Sequence, residues 1–195
     1  MNLPVLDQLI VNSAPTIWGL RPANIVTIKK SDFEGRESEI AGFGALFSRS
    51  RRVRLAKIYE SAHAVQLMVY DRRALSARLR DKECRAMLHG RGYPDRGGVD
   101  SYLNTLSLKM RGRGEFPHEI GLFLGYPLED VSGFVAHKGK NYKLNGYWKV
   151  YGDVEECKSR FAAFDSCRRS ARAMLSRSGG AEALLAQVPA AGSAI

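Results

Sequence analysis

Cysteine is scarce in this chain. There are three in 195 residues, Cys84, Cys157 and Cys167. An odd number without close spacing excludes a disulfide framework, and no CxxC pair exists for a metal or a redox couple. Cys157 and Cys167 fall on the apolar stripe of a predicted helix and read as buried thiols. That usage suits a reducing compartment, so the cytosol is the expected location. Long apolar runs are also missing. No stretch approaches the roughly 18 consecutive apolar residues of a membrane span, which argues against a membrane protein. The opening MNLPVLDQLIVNSAP has no basic leader, and Asp7 interrupts its apolar run, so no secretory signal is expected. There is no internal repeat. The length suits one domain with a real core.

Familiar catalytic signatures are missing too. Gly42 and Gly44 begin like a dinucleotide loop, but residue 47 is Phe where a glycine is needed. Gly139-Lys140 resembles the end of a phosphate loop, yet residue 134 is Phe, and Asn141 stands where Ser or Thr should hold magnesium. His118-Glu119 starts like a zinc-protease motif, but residue 122 is Leu, so the second histidine is missing. No GxSxG elbow is present. The sequence names no metal and no cofactor.

Positive charge is abundant. The net charge is +10, from 20 arginines and 10 lysines against 20 acidic residues. Such an excess suits nucleic acid, an anionic ligand or a membrane surface. The arginines cluster at Arg49, Arg51, Arg52 and Arg54, at Arg72, Arg73, Arg78 and Arg80, and at Arg168, Arg169 and Arg172. These groups lie on different elements, so each reads first as a solvated face. Nucleic acid ranks behind a small anionic ligand.

Local patterns set the fold class. Residues 3–12 predict a short helix, and Asn12-Ser13 can cap a second over 14–20, with Pro15 in its first turn. Asn24–Lys30 is β-branched and predicts a strand. Ser31 and Asp32 offer a cap for a helix reaching about Phe47, weakened by Gly42 and Gly44. Val53–Tyr59 and Ala64–Tyr70 predict a hairpin. Helices are expected from Asp71, from Asp81 to about His89, and over Val99–Met110. Pro117 predicts a helix to Leu124, and Pro127 another, ending near Gly139. Tyr142–Tyr151 alternates as a long strand, with Lys143, Asn145, Tyr147, Lys149 and Tyr151 on one face. Asp153 caps a long amphipathic helix. The expected class is α+β: a small, mostly antiparallel sheet of about four strands with helices on one face and a long C-terminal helix. One domain is expected over 1–176, with a flexible tail over 177–195.

Three features between Glu115 and Asp153 stand out. His118-Glu119 at a helix start can bind an anion or act as an acid–base pair. The bland alternative is a dipole-stabilised cap. Gly139 between Lys138 and Lys140, followed by Asn141, can turn backbone amides and ammonium groups toward one anion. The alternative is a solvated turn. The face of Lys143, Tyr147, Lys149 and Tyr151 can stack on a planar ligand. The alternative is the wet side of a sheet.

Glu115–Asp165 (EFPHEIGLFLGYPLEDVSGFVAHKGKNYKLNGYWKVYGDVEECKSRFAAFD) resembles the C-terminal signature of an uncharacterised bacterial family, "domain of unknown function 3793". Asn12-Ser13-Ala14-Pro15-Thr16 with Gly19, and Gly92-Tyr93-Pro94, resemble its upstream parts. The resemblance implies no activity. It does imply that relatives often carry His-Cys at Asn12-Ser13 and Cys at Asn145. A metal or thiol mechanism would therefore lack its ligands here, and Ser13 and Asn145 would share a pocket as hydrogen-bonding groups.

The reading that follows is a binding or accessory protein for a small anionic or phosphate-bearing ligand near His118, Lys140, Asn141, Tyr147, Lys149 and Tyr151. An enzyme using His118 and Glu119 as acid and base is the first alternative. A nucleic-acid-binding protein is the second, and a structural partner in a complex remains open.

Overall fold

A computed structural model describes residues 5–36, 40, 44, 52–112 and 114–181. Its centre is a three-stranded antiparallel sheet of β1 (Ala23–Lys29), β2 (Val53–Glu60) and β3 (Ala64–Asp71), in the order β1-β3-β2. All three strands are rich in β-branched and aromatic residues, which suit a pleated surface. The β2–β3 hairpin forms as its turn chemistry predicts. The Ser61 hydroxyl oxygen accepts from the backbone N–H groups of His63 and Ala64, which closes the turn.

The sheet is covered on both faces, not one. Val26, Ile28, Val65, Leu67 and Val69 pack against α1 (Val5–Ile17) and the C-terminal part of α8 (Val154–Ser178). Ile58, Met68 and Tyr70 pack against α3 (Arg72–Arg80), α4 (Lys82–His89) and α5 (Val99–Arg111). The reason is visible in β3 itself. Its middle is a nearly continuous apolar run, the pattern of a strand buried on both sides.

Other expectations change for local reasons. Residues 5–17 form one helix, and Asn12-Ser13 cap nothing. Pro15 is absorbed near its end because Val11, Ala14 and Ile17 are all buried, so packing outweighs the lost backbone bond. The helix expected from Asp32 is short: α2 covers Lys30–Phe33, and Glu34 is extended. Its expected continuation to residue 47 falls mostly outside the described residues, as do Arg49, Arg51 and positions 182–195 of the expected tail. The helix expected over 117–124 is a single turn, α6 (Ile120–Phe123), reached through turns at Pro117 and His118.

The caps are where the residue types put them. Asp71 accepts from Arg73 and Ala74 N–H at the start of α3, Asp81 from Cys84 N–H at α4, and Asp153 from Glu156 N–H at α8. Then α7 spans Leu128–Ala136. The long strand expected over 142–151 is instead a tight hairpin of β4 (Leu144–Asn145) and β5 (Lys149–Val150), separate from the main sheet. Gly146 makes the reversal, and a Cβ there would lie 2.2 Å from Phe161 Cε2. Trp148 and Val150 form a small core with Cys157 and Phe164 of α8. At about 1.5 Å per residue, α8 links this core to the sheet over roughly 37 Å. The α+β class stands.

Candidate functional site

A pocket of about 330 Å³ opens between the α6 region, α7 and the β4–β5 hairpin. Rings of Phe116, Tyr126, Phe134 and Trp148 line it, together with His118, Asn145, Tyr147 and Lys149. Four of the residues singled out from the sequence therefore meet here.

His118 enters from the turn before α6. Its ring lies 4.7 Å from the Phe134 ring and 5.5 Å from Phe116. Its neighbour Glu119 points elsewhere. Only 1% of Glu119 is exposed, and its carboxylate sits 3.3 Å from Arg91 Nη1 and 3.2 Å from Lys109 Nζ. The Tyr93 hydroxyl donates to it at 3.3 Å. Burial, and then that carboxylate, push the Tyr93 hydroxyl well above its ordinary value. Glu119 thus belongs to a buried ionic cluster, and the two side chains do not converge as an acid–base pair.

Lys149 is held from two sides. Its ammonium donates to the Gly139 carbonyl at 2.6 Å and lies 4.7 Å from the centre of the Tyr142 ring. Gly139 can present that carbonyl because it adopts φ +70°, while its N–H donates to Phe134 O and ends α7. Lys140 and Asn141 are exposed and do not line the pocket. Tyr151 also lies outside it: its hydroxyl donates to Lys140 O at 2.9 Å, and its ring stacks on His137.

Asp130 is the organising residue that sequence patterns miss. It lies in the first turn of α7 and is 2% exposed. Oδ2 accepts from Trp148 Nε1 at 2.6 Å and from the Cys157 thiol at 3.5 Å. Oδ1 accepts from Tyr151 N and Gly152 N at 2.7 and 2.8 Å. Both oxygens of this pocket-lining carboxylate are thus engaged by donors from the β4–β5 hairpin and α8. A proline-led helix with an early acid is the only sequence signal, and it says "dipole", not "buried".

Behind these aromatics lie arginines. Arg160 sits 5.2 Å from the Trp148 ring, Arg168 lies 4.8 Å from Tyr147, and Arg21 lies 5.4 Å from Tyr126. The Tyr147 hydroxyl donates to Asp165 at 2.6 Å, so its ring is fixed at the pocket wall.

A family model described as "Protein of unknown function (DUF3793)" matches residues 9–185. The chain belongs to this family. No curated protein and no solved structure matches it. In this DUF3793 protein the two positions where the resemblance implied thiols lie apart. Asn145 is at the pocket, whereas Ser13 is fully buried in α1 and does not line it. The cysteines that are present are free. Burial pushes the Cys84 thiol up to about 11 and the Cys157 thiol, helped by Asp130, up to about 12. Both are poor nucleophiles near neutrality. Among the described residues no three His, Cys, Asp or Glu side chains converge as a ligand set, and no helix is long and apolar enough to cross a membrane.

Proposed function

We propose that this protein is a binding or accessory protein that holds a small, flat ligand carrying one acidic group in the pocket beside His118. The observation that carries this reading is the Lys149 ammonium at a wall of aromatic rings. It has three N–H donors and gives one to Gly139 O, which leaves two for an anionic oxygen. Aromatic walls with a few fixed polar groups suit a small organic ligand, and 330 Å³ lies at the small end of such pockets. The acid of the ligand is a carboxylate or a phosphate. Free cysteines support a reducing compartment, the cytosol, as the place of work.

A thermal-shift screen of aromatic carboxylates, nucleotides, flavins and phosphorylated metabolites tests the reading. A ligand of this class should raise the melting temperature. Lys149→Met keeps the apolar stem and removes the charge, so it should weaken that ligand by about tenfold or more. No stabilisation by any compound, or undiminished binding in Lys149→Met, would overturn the proposal.

A further inference from the structure

Tyr126 also lines a second cavity, of about 420 Å³. It lies between the Gly19–Pro22 turn, α3, the Gly125–Pro127 turn and α8. Three arginines reach it from three separate elements: Arg21, Arg78 and Arg160. Each is anchored on a different carbonyl of one turn. Arg21 donates through Nε and Nη2 to Leu124 O at 3.1 and 2.7 Å. Arg160 donates to Gly125 O and Arg78 to Tyr126 O, both at 2.7 Å.

These carbonyls fix the guanidinium groups without neutralising them. A guanidinium has five N–H donors, so donors remain on each. Among the described residues the one carboxylate in the lining is Glu156. It lies 4.0 Å from Arg160 Nη1, and its side chain is 65% exposed. Among the described residues neither Arg21 nor Arg78 has an ion-pair partner. Arg21 is only 5% exposed, and Arg78 Nε is buried without an acceptor. Buried cationic donors of this kind are costly unless an anion completes them. Burial pulls the Arg21 guanidinium below its ordinary value. The Tyr126 hydroxyl opposes that shift, while Arg168 and Arg160 add to it.

We infer that this cavity is an oxyanion site, distinct from the pocket beside His118, that takes the phosphate or diphosphate group of a small solute. Three guanidinium groups against one half-hydrated carboxylate leave an excess that suits a multiply charged oxyanion better than a single carboxylate. The planar donor forks also match phosphate oxygens. Such an anion would tie the turn before β1, α3 and α8 to one another.

Inorganic pyrophosphate is the probe. Side-chain Nε–H signals of arginine are followed by NMR, and melting temperature is measured in parallel. Saturable shifts at Arg78 and Arg160, and a raised melting temperature, are expected beyond what sodium chloride of equal ionic strength produces. Arg78→Gln and Arg160→Gln should each weaken binding by about tenfold. Lys158→Met, which removes a cation of α8 outside the cavity, should leave binding unchanged. If a glutamine variant fails to fold, Arg78→Lys and Arg160→Lys keep the charge, lose the fork and should show the same loss. Shifts that sodium chloride reproduces, or full binding in the Arg78→Gln/Arg160→Gln double variant, would overturn the inference. So would binding that Lys149→Met abolishes, because that result moves the anion to the other pocket. A single-stranded oligonucleotide that binds at low salt and that pyrophosphate fails to displace would also overturn it, pointing to a nucleic-acid surface.

Discussion

The indole N–H of Trp148 donates to Oδ2 of Asp130 at 2.6 Å, and both residues are buried. The other oxygen of the same carboxylate takes the backbone N–H groups of Tyr151 and Gly152. One side chain from the first turn of α7 thus sets the ring that walls the pocket and ends β5. Backbone donors that a longer strand would spend on a neighbour go to Asp130 instead. This is the physical reason that residues 142–151 form a short hairpin.

Asp130→Ala should therefore cost about 3–5 kcal/mol, because buried donors lose their acceptor together. Asp130→Asn keeps the size but turns one acceptor into a donor, and should cost about 1.5–3 kcal/mol. Urea denaturation followed by tryptophan fluorescence measures both. An Asn variant as stable as the parent would show that the carboxylate is not what holds the hairpin.

The adjacent residues His118 and Glu119 should separate cleanly when mutated. Glu119→Gln weakens a buried cluster with Arg91, Lys109 and Tyr93, with an expected loss of about 2–4 kcal/mol. His118→Ala should change stability by less than about 1 kcal/mol, since the ring is partly exposed and, among the described residues, its interactions are ring contacts and a 3.9 Å approach to Glu115. Its effect should appear in ligand binding. Equal effects of both variants on stability would contradict the divergence of the two side chains.

What the sequence makes legible here is what local chemistry determines. Asp71, Asp81 and Asp153 announce helix starts because a carboxylate and a backbone N–H two or three residues on form a self-contained unit. The β2–β3 hairpin is legible for the same reason. The alternation of 142–151 misleads because period two also describes the two arms of a tight hairpin, and only Gly146 marks the reversal. Asp130 gives no signal of its burial, since its partners lie 18 to 27 residues away. The pocket was half legible. His118, Asn145, Tyr147 and Lys149 are near in sequence and meet in space, whereas Lys140 and Asn141 fall outside it after the turn at Gly139, and Tyr151 falls outside it with its backbone N–H on Asp130 and its ring on His137. The second covered face of the sheet departs from the expected helices on one face; the nearly continuous apolar run of β3 is its physical cause.

The raised thiols give an alkaline prediction. A thiol whose folded value lies above its unfolded one stabilises the fold fully below the unfolded value and loses that contribution as pH rises. The unfolded value is near 9, and the folded values are about 11 for Cys84 and about 12 for Cys157. Stability should then decline between pH 9 and 12. Guanidinium denaturation at pH 8 and pH 10.5 measures the slope. The Cys84→Ala/Cys157→Ala variant should show a shallower decline than the parent, whatever its stability at pH 8. An unchanged slope would mean that these thiols ionise as readily in the folded state as in the unfolded one.

The last prediction concerns the turn that aims Lys149. Gly139 has φ +70°, a conformation that costs an L residue about 1 kcal/mol. A Cβ there would also stand 3.1 Å from two ring atoms of Phe134, a wall of the pocket. Gly139→Ala should thus lower stability by about 1 kcal/mol or slightly more. It should also shift the Gly139 carbonyl, the acceptor that fixes the Lys149 ammonium. Binding of the acidic ligand should weaken several-fold, in the same direction as Lys149→Met. Gly139→Asn, which tolerates this backbone better, should fall between the parent and the alanine variant in both measurements. Combining Gly139→Ala with Lys149→Met tests the link directly. If the turn acts through the ammonium, the double variant binds no more weakly than Lys149→Met alone. If the two losses add in full, the glycine shapes the pocket through Phe134, and the carbonyl is not what places the charge.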